Sequence, residues 1–533
     1  MQKLLLLGDE AIAQGALDAG ISGVYAYPGT PSTEITEYIQ HSKQAEDGNV
    51  HRQWSANEKT AMEAAIGMSY AGKRALVCMK HVGLNVAADA FMNVAITGAN
   101  GGLVILAADD PSMHSSQNEQ DSRYFGKFAF TPIFEPSNQQ EAYDMTRQAF
   151  DFSEKHQIPV LLRITTRLAH SRSGVMRGEV REQNQIHLHP NPKQFILLPA
   201  IARKQYAELL AKQPELLAES ENSGINKYVD GADKSMGIIA SGIAYNYLME
   251  NYPDRKCPYP VLKISQYPLP ISLITRLVDE CNSVLVIEDG YPIIEEQLRG
   301  LLNRGLNVKG RLDGTLPRMG ELNPNLVALA LGMEDTRGEK IPDIVMPRPP
   351  ALCVGCPHID SFHALNEAIE PYGKGLVFSD IGCYTLGALP PYNAIYSTVD
   401  MGASITMAKG ASDAGLQPTV AVIGDSTFTH SGITSLLDCV VEGTNITVMI
   451  LDNFTTAMTG GQESHAMNRL ESICLGLGVE KEHIHIMKPL RNQHETNVQI
   501  IKNELAYNGV SVLIPTRECI QTIGKRVKAK QSS

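Results

Sequence analysis

Short apolar runs alternate with stretches of helical spacing along most of this chain. In the first third the runs fall at residues 23–27, 75–79, 103–107 and 160–164, after a first short run at 4–7. Each is followed by a turn rich in Gly, Pro or Asp, and then by apolar positions recurring every three to four residues. After residue 27, for example, the turn Pro28-Gly29-Thr30-Pro31-Ser32 leads into Thr33-Glu34-Ile35, which opens a helix. Strands alternating with helices predict a parallel sheet covered on its faces. Ligands of such sheets collect beyond the carboxyl ends of the strands. Thr30, Lys80-His81 and Asp109-Asp110 fall there.

From about residue 179 to 234 the pattern weakens into polar and helical segments, including 206–218, which reads as a linker with a helical arm. A second α/β region follows, with strands expected at 236–240 and 283–287. The Pro-rich stretch 342–350 marks a boundary, and the last region has strands at 419–423, 446–451 and 510–514. The fold class is therefore α/β. Three helix-covered parallel-sheet domains are expected, at residues 1–180, 234–345 and 346–533, with the linker at 181–233. A length of 533 residues agrees, being too great for one core.

Composition narrows the function classes. The hydrophobic share of 43% and charged share of 20% are those of a soluble globular protein. Net charge is −12, and no basic block precedes the short run Lys525-Arg526-Val527-Lys528-Ala529-Lys530. Nucleic-acid binding is excluded on that ground, because phosphate contacts need a clustered basic surface. The basic run reads as a frayed terminus. No apolar run reaches the roughly 18–20 residues of a membrane span. Residues 4–7 are followed at once by Asp9-Glu10, so they read as a first strand and not as a signal peptide. A cytoplasmic protein is expected. Nine cysteines, an odd number, do not suggest a secreted disulfide framework.

Two constellations carry chemistry. The strand 419–423 ends in Gly424-Asp425-Ser426, and the strand 446–451 ends in Asp452-Asn453. Side by side in a parallel sheet, Asp425 and Asn453 offer two oxygen ligands to one Mg²⁺, with the carbonyl of Thr455 as a third. Gly424 would let the backbone approach a diphosphate, and the following helix N-terminus favours anionic oxygens. A strand–turn–helix with a capping Asp is the plainer alternative. The second constellation is Cys353-Val354-Gly355-Cys356 with Cys383 and Cys519. Soft thiolates select Zn²⁺ or an iron–sulfur cluster, and spacing alone leaves both open. Cys78, Cys257, Cys281, Cys439 and Cys474 have no such pattern and read as buried apolar residues.

The segments Gly424-Asp425-Ser426-Thr427-Phe428-Thr429-His430-Ser431-Gly432-Ile433 and Leu451-Asp452-Asn453-Phe454-Thr455-Thr456-Ala457-Met458-Thr459-Gly460 resemble thiamine-diphosphate enzymes of the 2-oxoacid:ferredoxin oxidoreductase superfamily. They are most similar to the large subunit of its indolepyruvate branch. Ser426 stands where the general thiamine motif has a second Gly, and Asp452-Asn453 where it has Asn-Asn; both departures resemble that branch. The resemblance implies a pyrimidine-binding domain at 1–180, a transketolase C-terminal-like domain at 234–345 and a diphosphate domain at 346–533. It places Gly424, Asp425, Ser426, Thr427, Asn453, Thr455 and Met458, with Pro28, Gly29 and Glu58, around thiamine diphosphate. Asp425, Asn453 and Thr455 would hold Mg²⁺.

The segment His51-Arg52-Gln53-Trp54-Ser55-Ala56-Asn57-Glu58 also resembles the family. It makes Glu58 the carboxylate that hydrogen-bonds the aminopyrimidine and promotes loss of the thiazolium proton; read alone, Glu58 is a solvated first-turn helix residue. Thr30 is expected near the reacting carbonyl and Arg123 on the substrate carboxylate, the plainer alternative for Arg123 being a surface ion pair with Asp121 or Glu119; His81 and His430 are candidate proton shuttles, or else satisfied structural histidines. The four thiolates of Cys353, Cys356, Cys383 and Cys519 are implied to carry one [4Fe–4S] cluster.

The resemblance thus implies CoA-dependent oxidative decarboxylation of an aryl or branched 2-oxoacid, with electrons passing through the cluster to ferredoxin. Expected partners are a smaller second subunit, ferredoxin or another clustered carrier, coenzyme A and the 2-oxoacid, around a dimeric core. Large subunits of this branch ordinarily continue into a ferredoxin-like module with eight cysteines, and no such run follows Cys519 here. Electrons are expected to leave through a separate protein. The rivals are a non-oxidative thiamine-dependent decarboxylase or carboligase, and a zinc-stapled subunit without catalysis.

Overall fold

The structure is a computed structural model and describes residues 2–302, 305–334 and 341–524. The basic run at 525–530 lies outside the described residues. Contacts divide the chain into two compact units, residues 1–340 and 341–533.

The first unit holds two larger sheets. One has the strand order Gln266–Tyr267, Ile133–Phe134, Val160–Thr165, Leu103–Asp109, Ala75–Lys80 and Gly23–Ala26, all parallel except the first. Every residue of Leu103–Asp109 and Val160–Thr165 is buried. Strands sandwiched between helices read as unbroken apolar runs for that reason. The other sheet runs Val308–Lys309, Val284–Ile287, Gly237–Ser241, Val261–Ile264 and Lys227–Val229, with only the last antiparallel. Gln266–Tyr267 follows directly on Val261–Ile264 yet pairs with Ile133–Phe134, so the chain itself ties the two sheets into one unit. The arm is the 24-residue helix Pro199–Asn222. It packs against both the helix Ala88–Thr97 and the helix Ile271–Glu280.

The first expected strand forms as Lys3–Leu7 but joins no large sheet. It pairs antiparallel with Arg172–Met176. Its alternating exposure, with Leu5 outermost, suits a two-stranded ribbon and not a sandwiched strand.

The second unit carries a wholly parallel sheet, ordered Val377–Ser379, Val420–Gly424, Ile446–Leu451, Val510–Pro515 and Ile484–Met487. Register pairs Gly424 with Leu451, so the turns after these two strands begin side by side. Among the described residues, no helix is long and apolar enough to cross a membrane.

Candidate active site

In the first unit, three loops converge beyond the carboxyl ends of adjacent strands. The turn after Gly23–Ala26 is closed by Ser32 Oγ donating to the Gly29 carbonyl at 2.8 Å and by Gly29 N–H donating to Thr33 Oγ1 at 3.0 Å. Ser115 Oγ donates to the Thr30 carbonyl at 3.1 Å, and Lys80 Nζ donates to the Ser115 carbonyl at 2.9 Å. His81 is buried and faces the Asn118 carbonyl through Nε2 at 3.3 Å. Pro28, Gly29, Thr30, Lys80 and His81 thus belong to one cluster. Burial lowers the pKa of Lys80, against the charges of Asp110 and Glu58, which hold it up. Burial alone would raise Asp110, but hydrogen bonds from Ser115, Ser116 and Thr166 outweigh it and its pKa falls.

Glu58 is the first residue of the helix Glu58–Tyr70, whose N-cap Asn57 accepts the Thr60 N–H. A first-turn Glu at that position is ordinarily solvated, but this one is only 5% exposed. The segment before it accounts for the difference. His51 and Trp54 bridge in parallel to Gly23 and Ala26, so residues 51–54 extend the sheet edge and deliver Glu58 to the strand ends. Gly83 leaves it room: a Cβ there would stand 2.6 Å from Glu58 Oε1.

Arg123 is placed otherwise than its sequence neighbourhood suggests. It is fully buried, and its guanidinium bonds Asp121, Ser241, Tyr267, Glu288 and the Tyr291 carbonyl. Arg163 closes the network through Asp109, Asp121 and Glu135. Burial favours protonation of Asp121, but Arg123 and Arg163 overcome it and hold its pKa near about 2. With its donors committed on every side, Arg123 has none left for a substrate carboxylate. Its role is to lock together the two sheets of the first unit.

In the second unit the turn at Gly424 runs into a helix that widens to a π-turn at Phe428–Gly432, which contains His430, before continuing as Ile433–Glu442. Such π-bulges recur at functional sites. Asp425 is buried, and among the described residues its Oδ2 has no hydrogen-bond partner. Burial, then the charge of Asp452, pushes its pKa up to about 7. The opposing strand supplies Asn453, whose Oδ1 accepts the Thr455 N–H at 3.2 Å. Phe454 takes a positive φ of 64° to make this turn. Ser426 and Thr456 hydroxyls share a hydrogen bond of 2.8 Å, and Thr427 Oγ1 donates to the Ile381 carbonyl at 3.4 Å. Met458 is exposed in the short helical turn Ala457–Thr459. An orphaned buried carboxylate oxygen beside an oriented amide is a donor set that fits a hard divalent ion.

The four thiols meet next to this turn, all in reduced form. Burial first, then the neighbouring Cys356, Cys519 and Cys353, pushes Cys383 up to about 12. Cys356 rises to about 11, by burial and by Cys353 and Cys519, against a hydrogen bond from the His358 backbone. Cys356 N–H donates to the Cys353 carbonyl at 2.9 Å, and Gln521, two residues past Cys519, donates to Cys353 Sγ at 3.5 Å. Each segment that carries the thiols also touches the Asp425–Asn453 turn. Cys519 N–H donates to the Asn453 carbonyl at 3.3 Å. Tyr384, next to Cys383, lies so close that a Cβ on Gly424 would come within 2.6 Å of its ring. His358, two residues past Cys356, accepts from Asn453 Nδ2 at 3.3 Å.

His358 escaped the sequence reading, although its place just past the Cys-x-x-Cys turn was a usable signal. Burial lowers its pKa to about 4, so it is neutral and can accept from the Asn453 amide. That bond fixes the amide of Asn453, with Nδ2 on His358 and Oδ1 on the Thr455 N–H.

This strand-end arrangement, with Asp and Asn on adjacent turns, is the one expected from the resemblance to thiamine-diphosphate enzymes, and two family matches give the class. The family "Pyruvate flavodoxin/ferredoxin oxidoreductase, thiamine diP-bdg" matches residues 14–213, and "Thiamine pyrophosphate enzyme, C-terminal TPP binding domain" matches residues 380–489. The 2-oxoglutarate:ferredoxin oxidoreductase of Magnetococcus marinus shares the fold, with a TM-score of 0.50 at 14% identity over 62% of this chain and 65% of that one. More specifically, the chain belongs to the indolepyruvate oxidoreductase subunit IorA family. It is 40% identical to the Archaeoglobus fulgidus member over 97% of its own length and 86% of the relative's. The Methanothermobacter marburgensis member is 39% identical over 98% and 88%.

Proposed function

We propose that this chain is the catalytic subunit for CoA-dependent oxidative decarboxylation of an aryl, indolepyruvate-like, or branched 2-oxoacid, passing electrons through one [4Fe–4S] cluster to ferredoxin or a similar carrier. The observation that carries the reading is the contact of all three thiol-bearing segments with the Asp425–Asn453 turn. Thiamine diphosphate, when bound, supplies the nucleophilic carbon and the sink for electrons released with CO₂. Asp425, Asn453 and the Thr455 carbonyl would hold its Mg²⁺, with Gly424, Ser426 and Thr427 against the diphosphate. Glu58 would hydrogen-bond the aminopyrimidine, its burial strengthening that bond. Thr30 would hold the 2-oxoacid, and His81 would move a proton.

Cys353, Cys356, Cys383 and Cys519 would bind the cluster as thiolates, so loading it would expel the protons that burial holds on Cys356 and Cys383. The resemblance to the oxidoreductase family, which carries its cluster on such a cysteine set, favours a cluster over zinc. A smaller second subunit, coenzyme A and a dimeric core complete the proposal.

The test is a steady-state assay of anaerobic protein with thiamine diphosphate, Mg²⁺ and indolepyruvate. CoA-dependent reduction of a viologen dye supports the reading. Aldehyde release that needs neither CoA nor an acceptor refutes it in favour of a non-oxidative decarboxylase.

A further inference from the structure

Three side chains from three helices of the first unit meet in a cluster that shares no residue with the candidate active site. Asp9 is the second residue of Gly8–Asp18, Glu34 the second of Thr33–Gln40, and His170 the last of Thr166–His170. One ligand atom of each lies within 4.8 Å of the other two. His170 Nε2 stands 3.6 Å from Glu34 Oε1.

Asp9 is what makes the group unusual. It is 0% exposed, and among the described residues no N–H or hydroxyl donates to either of its carboxylate oxygens, although the Glu34 carboxyl lies within hydrogen-bonding reach. Glu34 Oε2 is likewise buried without such a donor. Two acceptor-only groups face one another, and burying an unpaired carboxylate costs several kcal/mol. Such an arrangement is relieved either by a proton held between the two carboxyl groups or by a cation between the oxygens. His170 Nε2 is the cationic partner that the described residues bring to Glu34.

We infer that Asp9, Glu34 and His170 form a binding site for a divalent transition-metal ion of the zinc class, separate from the thiamine site. An imidazole nitrogen with two carboxylates suits such an ion better than Mg²⁺, which prefers oxygen alone. Zinc bonds of about 2.0–2.1 Å put tetrahedral ligands roughly 3.4 Å apart, close to the 3.6 Å seen between His170 and Glu34. The site is built for entry from outside. The side chains of Glu34 and His170 keep 36% and 37% of their exposure, whereas Asp9 forms the closed floor. Water would take the fourth position. Burial and the Glu34 charge push the Asp9 pKa well above the usual range, a cost that a bound cation removes. The ion would pin the helix whose first residue, Thr33, accepts the Gly29 N–H of the substrate loop.

The test compares wild type with Asp9→Asn and His170→Ala after chelator treatment, using ZnCl₂ as the probe in calorimetry, elemental analysis and thermal melting. Because the four thiols can also take zinc, the readout is the difference between proteins. Wild type should bind one equivalent more than either variant, and that equivalent should raise its Tm but not theirs. The opposite result is equally clear. If Asp9 and Glu34 merely share a proton, Asn at position 9 can donate to Glu34. Asp9→Asn would then equal or exceed wild type in stability, and all three proteins would bind the same amount of zinc. That outcome overturns the proposal. His170→Ala alters a partly exposed side chain, so it reports on zinc even if Asp9→Asn folds poorly.

Discussion

Replacing Arg123 with Met separates a structural lock from a substrate grip. The guanidinium bonds Asp121 through Nε at 2.9 Å and Glu288 through Nη1 at 3.0 Å, and it reaches Ser241, Tyr267 and the Tyr291 carbonyl at 3.2, 3.2 and 2.8 Å. Met fills a similar volume without a charge. Breaking a buried pair by removing one partner costs about 3–5 kcal/mol, because the other charge stays buried. Two features favour the lower end. Asp121 keeps the Tyr291 N–H at 3.0 Å and Arg163 at 3.5 Å, and Glu288 keeps the N–H groups of Ile294 and Glu295. At roughly 2–4 °C per kcal/mol, a loss of about 3 kcal/mol lowers Tm by about 6–12 °C. Thermal melting by circular dichroism measures this directly. At a temperature where the variant is folded, KM for the 2-oxoacid should stay within about threefold of wild type. An unchanged Tm with KM raised about a hundredfold would refute the reasoning and return Arg123 to the substrate.

Three further predictions follow from close contacts. Gly83→Ala brings a Cβ to 2.6 Å from Glu58 Oε1 and must displace that carboxylate. Turnover should fall about 10–100-fold with Tm little changed, and undiminished kcat would deny Glu58 its role. His358→Ala frees the Asn453 amide, so Mg²⁺–thiamine diphosphate affinity should weaken about 10–100-fold while iron content holds; equal affinity in a calorimetric titration would contradict the orienting bond. Glu288 is raised by burial from 4.5 to about 7, so the folded protein retains a proton that the unfolded chain releases. Its contribution to stability therefore falls as pH rises from about 4.5 to 7, and Glu288→Gln should flatten that part of a Tm-against-pH profile. A variant with the wild-type slope would show that another group titrates there.

The long parallel strands and the Gly424-Asp425 and Asp452-Asn453 turns were legible because each rests on a contiguous run with its own period or punctuation. Two-residue strands such as Ile133–Phe134 and Gln266–Tyr267 leave no periodic trace, and those two join the sheets of the first unit. The burial of Arg123 was illegible for a related reason. Its nearest neighbours in sequence are polar and suggest a surface, but its partners Ser241 and Tyr291 lie 118 and 168 positions downstream. Glu58 reads alone as a solvated first-turn residue; its burial depends on the bridges of His51 and Trp54 to a strand nearly thirty residues earlier. Gly83 could not be singled out at all, since its importance is an absent side chain beside Glu58.

The central claim is that the Asp425–Asn453 site and the four thiols act as one redox centre. Electron paramagnetic resonance of anaerobic protein, loaded with thiamine diphosphate and Mg²⁺ and mixed with a 2-oxoacid and CoA, tests it most directly. The account predicts about four iron atoms per chain, a reduced-cluster signal that rises on adding substrate, and loss of both in Cys383→Ser. Colourless zinc-containing protein, or a Cys383→Ser variant that keeps its iron and its signal, would contradict it.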